Sequence, residues 1–197
     1  MQVGGHPPGV ATLFFGPVSS AYPVFMPAQP KPTQLDPAQP APAQPKVLKP
    51  LSKAPAFTLL DQRSDKIKLS EFLGRKVLIF FYPKASTPGC TTQACGLRDI
   101  ADEIGDTAVI GISPDLPAKL QRFDEQQSLG FTLLSDPEHL VAEKYGVWAE
   151  KKLYGKVYMG VVRSAFLIGE TGKLEQVWYK ISPKDTPKKL LEALAQA

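Results

Sequence analysis

Cysteine and histidine are scarce in this chain, whose 197 residues contain two of each. Two cysteines are too few for the disulfide framework of a small secreted domain. The histidines, His6 and His139, lie far from each other and from both cysteines, so the sequence offers no set of residues with zinc-ligand spacing. We therefore expect no bound metal, and the informative feature is the closeness of Cys90 and Cys95.

Long apolar runs and a large excess of one charge are also missing. No run reaches the roughly 18 apolar residues of a membrane-spanning helix, because three prolines interrupt the best candidate, residues 10–28. The formal net charge is only +4, and the lysines are scattered. The densest pairs, Lys151 with Lys152 and Lys188 with Lys189, predict solvated helix faces rather than a basic patch. We expect neither a membrane nor a nucleic acid as partner.

Proline is abundant but unevenly distributed: 12 of the 20 prolines fall in the first 50 positions, where Pro-Ala-Gln-Pro occurs three times. Such a segment has few core-forming residues and predicts extended, polyproline-like chain. The sequence thus divides into a disordered extension at 1–50 and one compact domain at 51–197. Residues 11–25 are apolar, as in a signal peptide, but no Lys or Arg precedes them. A disordered extension or a misplaced start codon is the better interpretation, and we expect a cytoplasmic protein.

Beyond residue 50, short apolar runs alternate with segments of helical periodicity. This alternation predicts an α/β domain with a mixed central sheet flanked by helices, because long crossovers join parallel strands whereas the short link at 170–173 suits an antiparallel hairpin. The pattern indicates strands at 77–82, 108–113, 131–135, 165–169 and 174–181, and helices at 91–104, 117–129, 138–145 and 183–197.

The segment after the first of these strands carries the chemistry, since α/β folds place their sites beyond the carboxyl ends of strands. Thr87 can cap a helix and Pro88 can occupy its first position, which places Cys90 in the first turn. There the helix dipole and unpaired N–H groups favour the nucleophilic thiolate. The same N–H groups, that of Gly89 among them, can bind a substrate oxygen.

A single cysteine at such a position is more often an inert packing residue, and the second cysteine reverses that expectation. Cys95 follows Cys90 by five residues, which on one helix corresponds to a Cα–Cα distance of roughly 8.7 Å. A disulfide needs less than about 7 Å. The two cysteines therefore cannot form a bond on an intact helix, so oxidation must unwind the helix locally. Gly89 and Gly96 flank the pair and reduce the cost of that unwinding.

These residues resemble the peroxiredoxins, specifically the bacterioferritin comigratory protein or peroxiredoxin Q group. Pro83, Thr87 and Cys90 match the Pro-x-x-x-Thr-x-x-Cys motif, and Cys95 matches the resolving position of this group. The likeness extends through Leu-Ser-Glu-Phe-Leu-Gly at 69–74 and Arg-Ser-Ala-Phe-Leu-Ile at 163–168. It departs at Ala165, where the family commonly has Thr, and at Gly169, where it commonly has Asp.

The resemblance implies a thioredoxin-like fold and a thiol-dependent peroxidase without a cofactor. Cys90 would be the peroxidatic nucleophile and Cys95 the resolving cysteine, with thioredoxin as reductant. Pro83, Thr87, Gly89 and Arg163 would bind the hydroperoxide, and Arg163 would also stabilise the thiolate. We expect a monomer.

Two other functions remain open at this point. A general thiol-disulfide oxidoreductase would exchange rapidly with disulfide substrates and gain little from peroxide. A redox-regulated chaperone or binding module would use the two cysteines only as a conformational switch.

Overall fold

The computed structural model describes residues 1, 47–153 and 155–196. In chain order the elements are the strands and helices β1 (Thr58–Asp61), β2 (Lys66–Lys68), β3 (Val77–Phe81), α1 (Pro88–Asp99), β4 (Ala108–Ser113), α2 (Pro117–Gln127), β5 (Thr132–Ser135), α3 (Leu140–Lys144), β6 (Trp148–Leu153), β7 (Lys156–Val161), β8 (Ser164–Ile168), β9 (Leu174–Trp178) and α4 (Asp185–Leu194). Short 3-10 turns occupy Leu69–Phe72 and Ala101–Glu103.

Seven strands form one mixed sheet in the order β2-β1-β5-β4-β3-β8-β9. The three strands joined by helical crossovers, β3, β4 and β5, are parallel, and the short link between β8 and β9 makes an antiparallel hairpin. The predicted mixed α/β architecture is therefore confirmed. Every residue of β3 is buried, as a central strand covered on both faces must be.

Alternate side chains of β3 supply two hydrophobic cores, one on each face of the sheet. Val77, Ile79 and Phe81 face the core that includes α3, whereas Leu78 and Phe80 face the core formed with α1, α2 and α4. This second core contains Cys90 and partly buries Cys95. Both cysteines thus lie on the face of the sheet that α1 covers.

Four strands were missed by the sequence analysis. Two of them, β6 and β7, pair only with each other in a separate antiparallel ribbon. The interpretation of Lys151 and Lys152 as a solvated helix face was wrong, because both lie on β6. A ribbon outside the main sheet has little need for a continuous apolar face, so charged residues obscure the alternation that identifies strands. Lys188 and Lys189 do lie on a helix, α4.

Several predicted boundaries also shift. The helix predicted at 91–104 begins at Pro88, as a proline in the first position indicates, and ends at Asp99 before the 3-10 turn. The other three predicted helices are each shorter in the structure. Among the described residues no helix combines the length and apolar character needed to cross a membrane.

Most of the predicted extension, residues 2–46, lies outside the described residues. The chain already contacts the domain at Leu48, three residues before the predicted boundary. The Leu48 amide donates to the Tyr179 hydroxyl at 2.9 Å, and the Leu48 side chain packs against the core.

Candidate active site

The loop between β3 and α1 is attached to the neighbouring strand β4 through Asp115. The Ala85 amide donates to Asp115 Oδ2 at 2.6 Å, and Ser113 Oγ donates to the same oxygen at 3.2 Å. Lys119 Nζ forms an ion pair with the other oxygen, Oδ1. The sequence analysis missed this residue. Asp115 restrains the loop that leads to the cysteine.

The loop enters α1 through Thr87, which stands at the N-cap with an extended backbone, and Pro88, which is the first helical residue. The Thr87 side chain does not cap the helix as predicted. Its hydroxyl instead donates to the Lys84 carbonyl at 2.9 Å. That bond uses the hydroxyl proton, so the Thr87 oxygen presents lone pairs that can accept a hydrogen bond.

Cys90 occupies the first turn of α1, as predicted, and its side chain is only 1% exposed. Arg163, between β7 and β8, lies beside it: Nη2 donates to Cys90 Sγ at 3.2 Å. A guanidinium at this distance stabilises a thiolate, and the first-turn N–H groups add positive potential. The structure thus places the predicted nucleophile and the predicted arginine in direct contact, although 72 residues separate them in the chain.

Gln93, a fully buried residue that the sequence analysis missed, fixes the position of Arg163. Its Oε1 accepts a hydrogen bond from Arg163 Nη1, and its Nε2 donates to Thr186 Oγ1 of α4 at 2.8 Å. Thr186 in turn donates to the Ser182 carbonyl at 3.2 Å. A polar residue one turn after Cys90, on the helix face that also carries Ala94 and Leu97, was the signal available in the sequence.

Gly89, the second residue of α1, lies beside the arginine and leaves room for a Cβ in ordinary van der Waals contact. A Cβ at this position would lie 3.5 Å from Arg163 Nη2 and 3.5 Å from Pro183. Pro83, the other predicted binding residue, directly follows Tyr82 and lies half-buried in the loop.

Cys95 lies on the same uninterrupted helix as Cys90, and both cysteines are free. The Cys95 thiol is half-buried and donates to Gln127 Oε1 of α2 at 3.4 Å. The expectation that the two cysteines share one continuous helix is confirmed, and helix geometry gives a Cα separation of roughly 8.7 Å.

The Tyr82 hydroxyl is a buried polar group near Cys90. It has no hydrogen-bond partner among the described residues. Burial, the largest effect, raises the pKa of Tyr82 far above its ordinary value; the Ser113 side chain opposes this rise, and the charges of Asp115 and Cys90 add to it. Tyr82 is therefore protonated at neutral pH.

No three His, Cys, Asp or Glu side chains lie together as a metal site in the described part of the chain. The chemistry available to the site is that of a thiolate, a guanidinium and helix N–H groups. Such a site can attack an electrophilic oxygen and bind the oxygen that departs.

Comparison with known proteins identifies the family. The AhpC/TSA family model matches residues 50–177. This chain is a member of that family. It belongs to the bacterioferritin comigratory protein, or peroxiredoxin Q, group, as its relatives show. The Haemophilus influenzae putative peroxiredoxin Bcp is 54% identical over 152 residues, which cover 75% of this chain and 98% of that protein. Escherichia coli peroxiredoxin Bcp is 54% identical over 127 residues, covering 64% and 81% respectively.

Solved structures agree with this assignment. The peroxidoxin BcpB of Mycobacterium tuberculosis superimposes with a TM-score of 0.68 at 35% identity, covering 76% of this chain and 97% of that one. The Xanthomonas campestris bacterioferritin comigratory protein, studied for its alkyl peroxide reduction activity, gives 0.67 at 30% identity, covering 71% and 90%. The predicted thioredoxin-like fold is thereby confirmed. The peroxiredoxin described here is an enzyme of the thiol peroxidase class.

Proposed function

We propose that this peroxiredoxin reduces hydrogen peroxide and organic hydroperoxides through a Cys90–Cys95 disulfide that thioredoxin then reduces. The 3.2 Å contact between Arg163 Nη2 and Cys90 Sγ at the start of α1 is the observation that carries the proposal. The thiolate attacks one peroxide oxygen and the O–O bond breaks. The other oxygen leaves as water or alcohol after taking a proton, and Cys90 becomes a sulfenic acid.

Arg163 and Thr87 are suited to bind the two ends of the peroxide bond. The guanidinium donates to the sulfur and can also donate to the departing oxygen, on which negative charge develops as the O–O bond breaks. The Thr87 oxygen can accept the hydrogen bond of the peroxide O–H, since its own proton is directed at Lys84. Gly89, which lies beside Arg163, and Pro83, in the loop before Thr87, complete the proposed set of binding residues.

The second half of the cycle requires a change of conformation. Cys95 must attack the Cys90 sulfenic acid, which forms a disulfide and releases water. A separation of roughly 8.7 Å on an intact helix is too long for that bond, so α1 must unwind between the two cysteines. Because both cysteines lie on one helix, a monomer suffices for the cycle. A reducing compartment such as the cytoplasm supplies the dithiol that regenerates the enzyme.

Organic hydroperoxides enter the proposal through the Xanthomonas campestris relative and its alkyl peroxide reduction activity. A general thiol-disulfide oxidoreductase is less well supported, because the arginine adjacent to the buried Cys90 sulfur suits an oxygen substrate better than a bulky protein disulfide. A chaperone or binding module would not need an arginine on the sulfur.

The deciding assay couples NADPH oxidation to thioredoxin reductase, thioredoxin and this enzyme, with hydrogen peroxide and alkyl hydroperoxides as substrates. We expect catalytic turnover by the wild type and none by Cys90→Ser. We expect Cys95→Ser to consume about one equivalent of peroxide and then stall as sulfenic or over-oxidised cysteine. A persistent sulfenic acid at Cys95 with Cys90 unmodified would reverse the assignment. Rapid exchange with disulfides but no peroxide turnover would favour the oxidoreductase.

A further inference from the structure

Two side chains in the C-terminal half of α1 bond to the same residue of the neighbouring helix. Gln127, the last residue of α2, accepts a hydrogen bond from the Cys95 thiol through its side chain at 3.4 Å. Its backbone carbonyl accepts a hydrogen bond from Arg98 Nη1. Both donors are on α1, and one of them is the proposed resolving thiol.

The carbonyl contact has a clear physical cause. The last carbonyls of a helix lack intrahelical partners and form the negative end of its dipole. The chain leaves α2 at Ser128, which has a positive φ of 49°. Arg98 therefore caps α2 from outside, and Asp99 orients the guanidinium by accepting from Nε at 2.8 Å and from Nη2 at 2.6 Å. The hydrogen bond from Arg98 to the Gln127 carbonyl thus both caps α2 and attaches α1 to it.

We infer that Gln127 is a positioning residue that retains Cys95 on the folded helix and thereby sets the rate of disulfide formation. This inference rests on the proposed function, since it concerns the step in which Cys95 displaces water from the Cys90 sulfenic acid. Cys95 must leave the Gln127 side chain before it can reach Cys90. The carbonyl contact with Arg98, one turn later, opposes unwinding of the same segment.

The latch, meaning the two contacts of Gln127 with Cys95 and Arg98, also determines how much enzyme is lost to over-oxidation. While α1 stays folded, the Cys90 sulfenic acid remains near Arg163 and can react with a second peroxide. That reaction transfers one oxygen to the sulfur, giving sulfinic acid and releasing water or alcohol. A slower release of Cys95 gives this side reaction more time.

The N-terminal half of α1 is held by different residues. Gln93 bonds to Arg163 and Thr186, whereas Gly96, in the C-terminal half, lies against the Pro187 ring of α4. A change at Gln127 therefore leaves the contacts of Cys90 intact. The two steps of the cycle should respond differently to it.

The test compares Gln127→Leu, which removes the acceptor for the Cys95 thiol, with Gln127→Glu, which retains one. Gln126→Leu is the matched control, since Gln126 is the exposed preceding residue of the same helix. Rapid mixing with hydrogen peroxide, followed by acid quenching and mass spectrometry, separates the peroxide-dependent formation of sulfenic acid from the peroxide-independent formation of disulfide.

We expect disulfide formation roughly threefold to tenfold faster in Gln127→Leu, which corresponds to the loss of one hydrogen bond. Sulfenic acid formation should change less than twofold, and the sulfinic fraction at high peroxide should fall. Gln127→Glu and Gln126→Leu should behave as the wild type. Arg98→Met, which removes the carbonyl contact, provides a second route to faster disulfide formation should Gln127→Leu fold poorly.

Unchanged disulfide formation in both Gln127→Leu and Arg98→Met would overturn the latch while leaving the peroxidase intact. Slower disulfide formation would overturn it too and would indicate that Gln127 activates the thiol. If the wild type forms sulfenic acid but never a Cys90–Cys95 disulfide, the proposed cycle itself fails, and the latch fails with it.

Discussion

Replacing Gln93 with leucine tests whether the hydrogen bonds behind Arg163 matter to the chemistry or only to the fold. Gln93 is fully buried and connects the arginine to Thr186 of α4. Leucine has a similar volume but cannot form either bond. Arg163 would retain its contact with Cys90 Sγ and lose the partner that fixes its other terminal nitrogen.

The cost in stability can be worked from these contacts. The neutral bond to Thr186 contributes about 1 kcal/mol and the charged bond to Arg163 about 2 kcal/mol. The apolar leucine side chain offsets about 1 kcal/mol by burial. The net loss of about 2 kcal/mol lowers the melting temperature by about 6 °C for a domain of this size.

The effect on catalysis should exceed what this loss of stability explains. An arginine free to move by about an ångström no longer donates reliably to the developing charge, so the second-order rate constant for peroxide should fall roughly tenfold to hundredfold. Stopped-flow kinetics at a temperature where every variant is folded measures that constant. Gln93→Glu retains an acceptor for Arg163 and should stay within about threefold of the wild type.

A drop in melting temperature with the peroxide rate constant unchanged within twofold would refute the argument. Gln93 would then serve only to attach α4 to α1. The Gln126→Leu control, on the exposed side of α2, should change neither quantity.

Three further predictions concern other parts of the molecule. In hydrogen exchange, α1 should be protected around Cys95 in the reduced enzyme and lose that protection on oxidation while the sheet keeps it; identical exchange with the disulfide confirmed would exclude unwinding. Deletion of residues 1–46 should leave the rate constant for peroxide within twofold of the wild type, and a several-fold loss would show that the extension contacts the site. Deletion of residues 1–50 should in addition lower the unfolding free energy by about 1 kcal/mol, because it removes the hydrogen bond between the Leu48 amide and Tyr179. Tyr82→Phe removes a buried hydroxyl without a partner in the described part of the chain. In urea denaturation the unfolding free energy should stay the same or rise by about 1 kcal/mol. A lower rate constant for peroxide would show that the hydroxyl contacts a reacting atom.

The central fold was predictable because its strands are unusually apolar. β3 is buried on both faces and consists only of Val, Leu, Ile and Phe, so its identity does not depend on alternation. The lengths of the connections between successive strands then predicted which neighbouring strands are parallel. The ribbon of β6 and β7 was not predictable in this way, since three of its twelve residues are lysines and no large core imposes a pattern on it.

The candidate site was predictable where it is local in sequence. Thr87, Pro88 and Cys90 belong to one helix start, and their spacing alone indicates an activated thiol. Arg163 was predicted only from the family resemblance. No local sequence pattern indicates that the residue before β8 places its side chain beside Cys90. Gln93, Asp115 and Gln127 were missed for the same reason. Each acts through a contact with a residue on another element, and the spacing of residues along the sequence does not reveal such contacts.

Gly169 lacks the Cβ atom that any other residue would place against Glu175, and Glu175 in turn contacts Lys76. A Cβ here would lie 2.9 Å from the Glu175 carboxyl carbon and closer still to its oxygen Oε1, and Glu175 forms an ion pair with Lys76 at 3.4 Å. Aspartate at this position would bring a second carboxylate against the first. An Asp introduced at 169 should therefore displace the end of the Glu175 side chain and weaken its ion pair with Lys76.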